Sequence, residues 1–302
     1  CSLVEYGRPQ STNDVQTTQA SRRMTPPPES ANGRVSISRK LDLGGIGYSS
    51  ESFEQLCATL CRYLQQVRPC TVSYVNPHVF NVAMQNHSVR ELLARADIVS
   101  VDGLGFALGA RLLTGQRQSR AVMTPLFDRV LQLDDLPPLT ALLIGGTDEV
   151  VTLGAEAINR ASRRIKVVKT CHGYASMAEH LELLRRHPEV ELVLVAMGTP
   201  RSEELMLAAM DLFPGRFWWN IGGGTLHYYA GTKRRAPHWV SAVGLQWLWR
   251  MFWEPATIPR YLVGIPRFCL HLSRLLVLRQ KPNPERNTYD HPHRQPCPPP
   301  SS

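Results

Sequence analysis

The sequence lacks a disulfide framework. Its seven cysteines are odd in number and scattered, no Cys-x-x-Cys occurs, and Cys57 and Cys61 are spaced for one helix face. That usage favours a reducing compartment. No uninterrupted apolar run approaches the roughly 18 residues that a membrane-spanning helix needs. The dinucleotide fingerprint is missing too: Leu108 stands where Gly103-x-Gly105 needs its third glycine, and Gly145-Gly146 has the wrong spacing. This weighs against a nicotinamide dehydrogenase. His78, His87, His172, His180 and His187 show no ligand spacing backed by Cys or acids, so neither a metal nor a cofactor is expected. No secretory signal is recognisable. A leading Cys1 would suit a lipidated exported protein, but nothing else in the chain has export character. There is no internal repeat.

What is present divides the chain of 302 residues into four parts. Residues 1–35 hold Thr25-Pro26-Pro27-Pro28 among many small polar residues, and 280–302 are proline-rich. Both are expected to be disordered, because they cannot bury enough apolar surface to offset chain entropy. Residues 36–236 fit one large α/β domain, and 237–279 form a basic, Trp-rich helical appendage. Strands are expected near 71–75, 98–101, 140–144, 165–170, 190–197 and 217–221. Helices are expected over 52–67, 79–95, 104–113, 124–133, 148–162, 177–187, 202–212, 237–253 and 258–278. Continuous apolar strands alternating with helices predict an α/β fold: a Rossmann-like, mostly parallel sheet with helices on both faces, plus a C-terminal helical membrane-associating appendage. In such sheets ligands bind at the carboxyl ends of strands.

Net charge is +9 and unevenly placed: Lys233 to Arg279 contains eight Lys or Arg and one acid, Glu254. Four of the six tryptophans, Trp239, Trp247, Trp249 and Trp253, lie in the same stretch. Further on, Arg267, His271 and Arg274 form one helix stripe among leucines. Basic residues with Trp and Leu suit a helix lying in the interface of an anionic membrane. Packed helices with snorkelling arginines are the plainer reading. Such a patch would also suit nucleic acid, but no recognised nucleic-acid module accompanies it.

The strand Ile98–Val101 leads straight into Asp102-Gly103. Taken alone, that Asp-Gly is an ordinary turn or helix cap. Glycines recur after other strands, at Gly145-Gly146, Gly173, Gly198 and Gly222-Gly223-Gly224. They suit either tight strand-to-helix turns or backbone N–H groups approaching a phosphate.

Together these pieces resemble the WecG/TagA/CpsF family of glycosyltransferases, over roughly 39–270. The residues that carry the resemblance begin with Tyr74-Val75-Asn76-Pro77, Ala96 to Gly103 and Ala110 to Gly115. They continue with Leu143 to Gly146, His172-Gly173-Tyr174 and Met197 to Glu203. The best matches are Gly222-Gly223-Gly224, Tyr229-Ala230-Gly231, Lys233 to Pro237, Gly244 to Arg250 and Glu254-Pro255. The resemblance implies an inverting transferase that moves a sugar from a UDP-sugar donor to a polyprenyl-diphosphate-linked saccharide, in bacterial surface or exopolysaccharide synthesis. It would be cytoplasmic and peripheral on the inner face of the cytoplasmic membrane, with an oligomer possible.

By the same resemblance Asp102 is the expected base, Asn76 its pocket asparagine and Arg120 the arginine that meets the diphosphate. Gly145, Gly146, His172, Tyr174, Gly198, Pro200, Glu203, Gly222, Gly223, Arg250 and Arg260 are expected to bind substrate. The chain departs from the family pattern at Tyr74, Met123, Pro125, Ser202, His227, Gln246 and Ala256-Thr257. Two alternatives stand beside transfer: a degenerate, non-catalytic component docked on a membrane-bound assembly, and a hydrolase using water as acceptor.

Overall fold

The computed structural model describes residues 40–277 except 117, 119 and 243, with the side chains of His238 and Ala242 also left aside. The tails expected at 1–35 and 280–302 lie outside the described residues. The described chain opens with a hairpin that the sequence expectation lacks, β1 (Lys40–Leu43) and β2 (Ile46–Ser49). Its two-residue turn is Gly44-Gly45, both at positive φ (63° and 85°), as a tight hairpin turn of this twist requires.

After α1 (Phe53–Gln65) come β3 (Cys70–Val75), α2 (Pro77–Ala83), α3 (His87–Arg95) and β4 (Ile98–Val101). The single helix expected over 79–95 is therefore two. Asn76 caps the first and Asn86 the second, each accepting backbone N–H groups on its side-chain oxygen. There follow α4 (Leu104–Thr114), α5 (Met123–Leu131), β5 (Leu139–Gly145), α6 (Asp148–Ala161) and β6 (Ile165–Cys171). Then come α7 (Met177–Arg186), β7 (Leu192–Ala196), α8 (Arg201–Met210), β8 (Phe217–Asn220) and α9 (Gly223–Tyr229). The helix expected over 237–253 is also broken, into α10 (His238–Ala242) and α11 (Gln246–Trp253); a short 3-10 turn then leads to α12 (Ile258–Val277).

Strands β3 to β8 form one six-stranded sheet in the order β4-β3-β8-β7-β5-β6, with every pairing parallel. Alternate residues serve opposite faces, as the pleat demands. Trp219, Leu194 and Leu143 join a core with α1, α5, α6 and α9. Trp218, Val193 and Leu142 join a second core with α7 and α8. Helix α8, which enters β8, packs against α3 and α7; helix α9, which leaves it, packs against α6. The chain thus changes face at the carboxyl end of β8, a place where parallel sheets open a crevice.

Helix α12 lies across α2 and α4 beside the ends of β3 and β4. It buries Phe268, Leu272 and Leu275 in the first core. Leu272 seats on Gly109, where an added Cβ would stand 2.6 Å from it. Burying three such side chains is worth about 1.5–3 kcal/mol each. No described helix is long and apolar enough to cross a membrane.

Candidate active site

Asp102 follows β4, and its backbone N–H donates to the Val75 carbonyl at 2.9 Å. Its carboxylate does not cap α4, whose N-cap is Gly103 without a side-chain bond. The turn-cap reading of this carboxylate therefore falls away, and the side-chain partner is Asn76. The Asn76 side-chain oxygen accepts from the His78 and Val79 N–H groups, both at 3.0 Å. Two donors on the oxygen fix which way the amide points, so its NH2 is free to face Asp102, whose charged form it favours.

Burial pushes the Asp102 pKa above the ordinary carboxylate value. Arg250, the bond from Asn76, Arg120 and Arg260 pull the other way, in that order. Three arginines from distant segments thus act electrostatically on one carboxyl. Arg250, in α11, donates from Nε to the Tyr228 hydroxyl at 3.0 Å, and its guanidinium stands 5.7 Å from that ring's centre. Burial works against its charge, but Tyr228, Tyr261 and Asp102 outweigh this and its pKa is raised. Arg260, in the first turn of α12, is lowered, by burial first; Tyr261, Tyr74 and Asp102 support its charge. Arg120 lies beneath Gly244, where an added Cβ would come within 2.8 Å of its guanidinium.

Sequence reasoning placed Tyr74 in a strand and in a resemblance motif, as a departure from the family pattern, and gave it no role. The structure puts it inside the site. Its side chain is 9% exposed. Its hydroxyl lies against Gly222, at φ 78°, where a Cβ would stand 3.1 Å away. Burial raises its pKa, and Glu203 and Asp102 add to the rise. Inside a strand a buried Tyr reads as core, so no local signal marks it. Tyr228 was missed for a related reason: α9 starts in a glycine triplet that reads as loop.

The glycine loops form a second group. Gly145 abuts the Ala196 carbonyl so closely that a Cβ would stand 2.5 Å from its oxygen. The Gly173 N–H donates to the Gly146 carbonyl at 2.9 Å. Gly223 faces Ala196 and Gly198. Gly198 and Pro200 are partly exposed on the same row, and the Thr199–Pro200 bond is cis.

One expectation needs correction, and two residues lie apart from Asp102. Glu203, expected to face substrate, is 0% exposed. One of its oxygens accepts from the Thr199 hydroxyl at 2.9 Å and the Asn220 amide at 3.1 Å. It braces the loops after β7 and β8 from below. His172 and Tyr174 do not join Asp102. They follow β6, at the opposite edge of the sheet from β4, and five strand spacings make about 24 Å. There the His172 ring accepts from the Tyr174 N–H at 3.2 Å, and Arg201 stacks 5.3 Å from the exposed Tyr174 ring. Among the described residues no group of three or more His, Cys, Asp or Glu is placed to hold a metal ion.

The architecture defines a class: a parallel α/β protein with a buried carboxyl, on which three arginines act electrostatically, at one end of its strand tips and a row of glycine turns beside it. The chain belongs to the glycosyl transferase WecG/TagA/CpsF family, whose model matches residues 41–286. It is similar to the N-acetylglucosaminyldiphosphoundecaprenol N-acetyl-beta-D-mannosaminyltransferase of Bacillus subtilis (strain 168), 26% identical over 211 residues, 69% of this chain and 80% of that protein. The protein of the same description from Staphylococcus aureus (strain MW2) is 24% identical over 238 residues, 78% of this chain and 92% of its own.

Proposed function

We propose that the protein transfers a sugar, with inversion, from a UDP-sugar to a saccharide carried on a polyprenyl diphosphate, and that Asp102 is the base. The observation that carries this reading is the Asp102 carboxyl, oriented by Asn76 and faced by Arg250, Arg120 and Arg260. In the proposed step an acceptor hydroxyl oxygen attacks the anomeric carbon. Its proton passes to Asp102, and the bond from that carbon to the donor diphosphate breaks, its electron pair leaving with UDP. A base whose pKa is raised by burial holds that proton better than an exposed carboxylate. Negative charge grows on the departing diphosphate, and fixed cations stabilise it without reorganising. The glycine row at Gly222, Gly223, Gly198, Gly145 and Gly146 suits the nucleotide diphosphate. His172 and Tyr174 would meet only the end of the donor farthest from the reacting carbon.

Two of the departures from the family pattern serve packing. Ser202 is buried and its hydroxyl accepts the Met197 N–H at 3.1 Å. The Met123 sulfur accepts the Trp219 indole N–H at 3.0 Å. At these two positions the changes give no support to a degenerate, inactive member.

The same reading places the protein peripherally on an anionic membrane. Trp239, Trp247, Leu248, Phe252, Trp253, Leu262 and Leu270 are exposed, among the arginines of α11 and α12. Such a surface matches an interface-lying helix more than a solvated one.

The test offers a panel of UDP-sugars with a short-chain polyprenyl-diphosphate saccharide. Asp102→Asn is expected to lower turnover about 10²-fold or more while the protein stays folded. Near-full rate in the folded variant removes Asp102 from the chemistry. Release of free sugar without acceptor product identifies a hydrolase, and no turnover with any donor identifies a non-catalytic component.

A further inference from the structure

A groove of about 500 Å³ runs between α2 and α12. On the α2 side it is lined by His78, Asn81 and Gln85, and on the α12 side by Arg260, Val263 and Arg267. It adjoins the reaction centre. Helix α2 begins at Asn76, the partner of Asp102, and Arg260 acts electrostatically on both His78 and Asp102. None of the described residues lining it is acidic.

One side chain tells what the groove is built for. Asn81 is 6% exposed. Its NH2 donates to the Gly264 carbonyl across the groove floor at 2.7 Å, which fixes the amide's orientation. Its oxygen is buried and has no hydrogen-bond partner. A buried carbonyl oxygen is costly to leave unpaired, and what it requires is a donor. A diphosphate diester carries no proton at neutral pH and cannot supply one. A sugar hydroxyl or acetamido N–H can. His78 points the same way: burial first, then Arg260, push its pKa down to about 4, so it is a neutral hydrogen-bonding group. Gln85 adds an exposed amide at the rim, and Val263 an apolar wall for the C–H face of a ring.

We propose that this groove is a subsite for a neutral, hydroxyl-bearing sugar of the acceptor, next to the sugar that reacts; the proposal rests on the glycosyl-transfer reading. The groove then selects acceptors by their second sugar, with Asn81 accepting and Arg260 and Arg267 donating to its hydroxyl oxygens.

The experiment compares short-chain polyprenyl-diphosphate acceptors bearing one or two neutral sugars. The variants are Asn81→Leu, Gln85→Ala and Val263→Trp; the last two sit at exposed positions and carry the test if the first fails to fold. KM for the two-sugar acceptor is expected to rise about tenfold, the scale of one lost hydrogen bond to a buried group, with a several-fold smaller change for the one-sugar acceptor. UDP affinity by calorimetry is expected to hold. Equal losses on both acceptors, or a loss of UDP affinity instead, overturn the proposal. If the wild-type protein binds UDP but transfers to neither acceptor, the glycosyl-transfer reading fails separately. The groove is then read by saturation-transfer NMR with a free neutral disaccharide against inorganic pyrophosphate. Disaccharide contact that is lost in Val263→Trp sustains the saccharide site; contact with pyrophosphate alone, or with neither, overturns it.

Discussion

Helices α11 and α12 each bring an arginine to the same carboxylate, yet the fold holds them in opposite ways. Helix α12 buries Phe268, Leu272 and Leu275 in the main core, so Arg260 rides on a packed rod. Helix α11 has no fully buried residue; Trp249, Arg250 and Met251 are half-buried. Its aromatic rings meet one another, Trp249 against Trp253 at 5.7 Å and Phe252 against Trp253 at 5.5 Å, and Arg234 stacks 4.4 Å from Trp253. Arg250 is held chiefly through Tyr228. The basic C-terminal region is therefore two different things. One helix is part of the α/β core, and the other lies on it with Trp247, Leu248, Phe252 and Trp253 exposed. Truncation of the whole region would confuse these roles, because removing α12 also uncovers α2 and α4.

The sharpest break in the comparison is core truncation. Phe268→Ala is expected to cost about 3–5 kcal/mol, read as a lower denaturant midpoint, whereas Phe252→Ala, at a side chain 76% exposed, should stay within about 0.5 kcal/mol. Equal losses would mean that α11 is packed as firmly as α12. Next in size is the membrane arm. Phe252→Ala with Trp253→Ala should weaken co-sedimentation with anionic vesicles several-fold, and the residual binding should fall with salt. Unaltered binding would move the contact elsewhere.

Smaller effects concern the carboxylate. Arg250 is the foremost charge lowering the Asp102 pKa. Its removal in Arg250→Ala should move the acid limb of the pH–rate profile to higher pH, and Tyr228→Phe should do so less. A limb that stays fixed would detach Arg250 from Asp102. Last, the folded-state pKa of Asp102 is raised above its ordinary value of 3.8. Stability is therefore lost as pH climbs from the unfolded pKa to the folded one, and it stays lost above that. Asp102→Asn escapes the loss, so it should melt above wild type at pH 7, and the gap should close below about pH 3.8. A variant less stable at neutral pH would show that the carboxylate supports the fold.

The strand runs were legible because both faces of the sheet are covered. Ile98–Val101 and Leu192–Ala196 are continuously buried and read as continuous apolar sequence. The hairpin at 40–49 was not, although Gly44-Gly45 lies between alternating Leu41, Leu43, Ile46 and Tyr48. Its strands are four residues each and one carries Asp42. Asp102 and Asn76 were visible because strand ends are visible. Their convergence with Arg250 and Arg260 spans more than 140 residues of chain and has no local signature; only the resemblance pointed to it. Glu203 misled for the converse reason. Acids in a helix's first turn usually face solvent, and this one is sealed beneath the loops.

Asn76 starts α2 with its oxygen and favours the charged form of Asp102 with its nitrogen. A gene library sorted on folding alone would keep it, and one sorted on turnover alone would keep it as well. Asp or Ser at this position preserves an acceptor for the helix but forfeits the amide donor, and Ala forfeits both. Selection for either property thus protects the other, and an engineer who wishes to retune this carboxyl cannot do so here without also renegotiating where the helix begins.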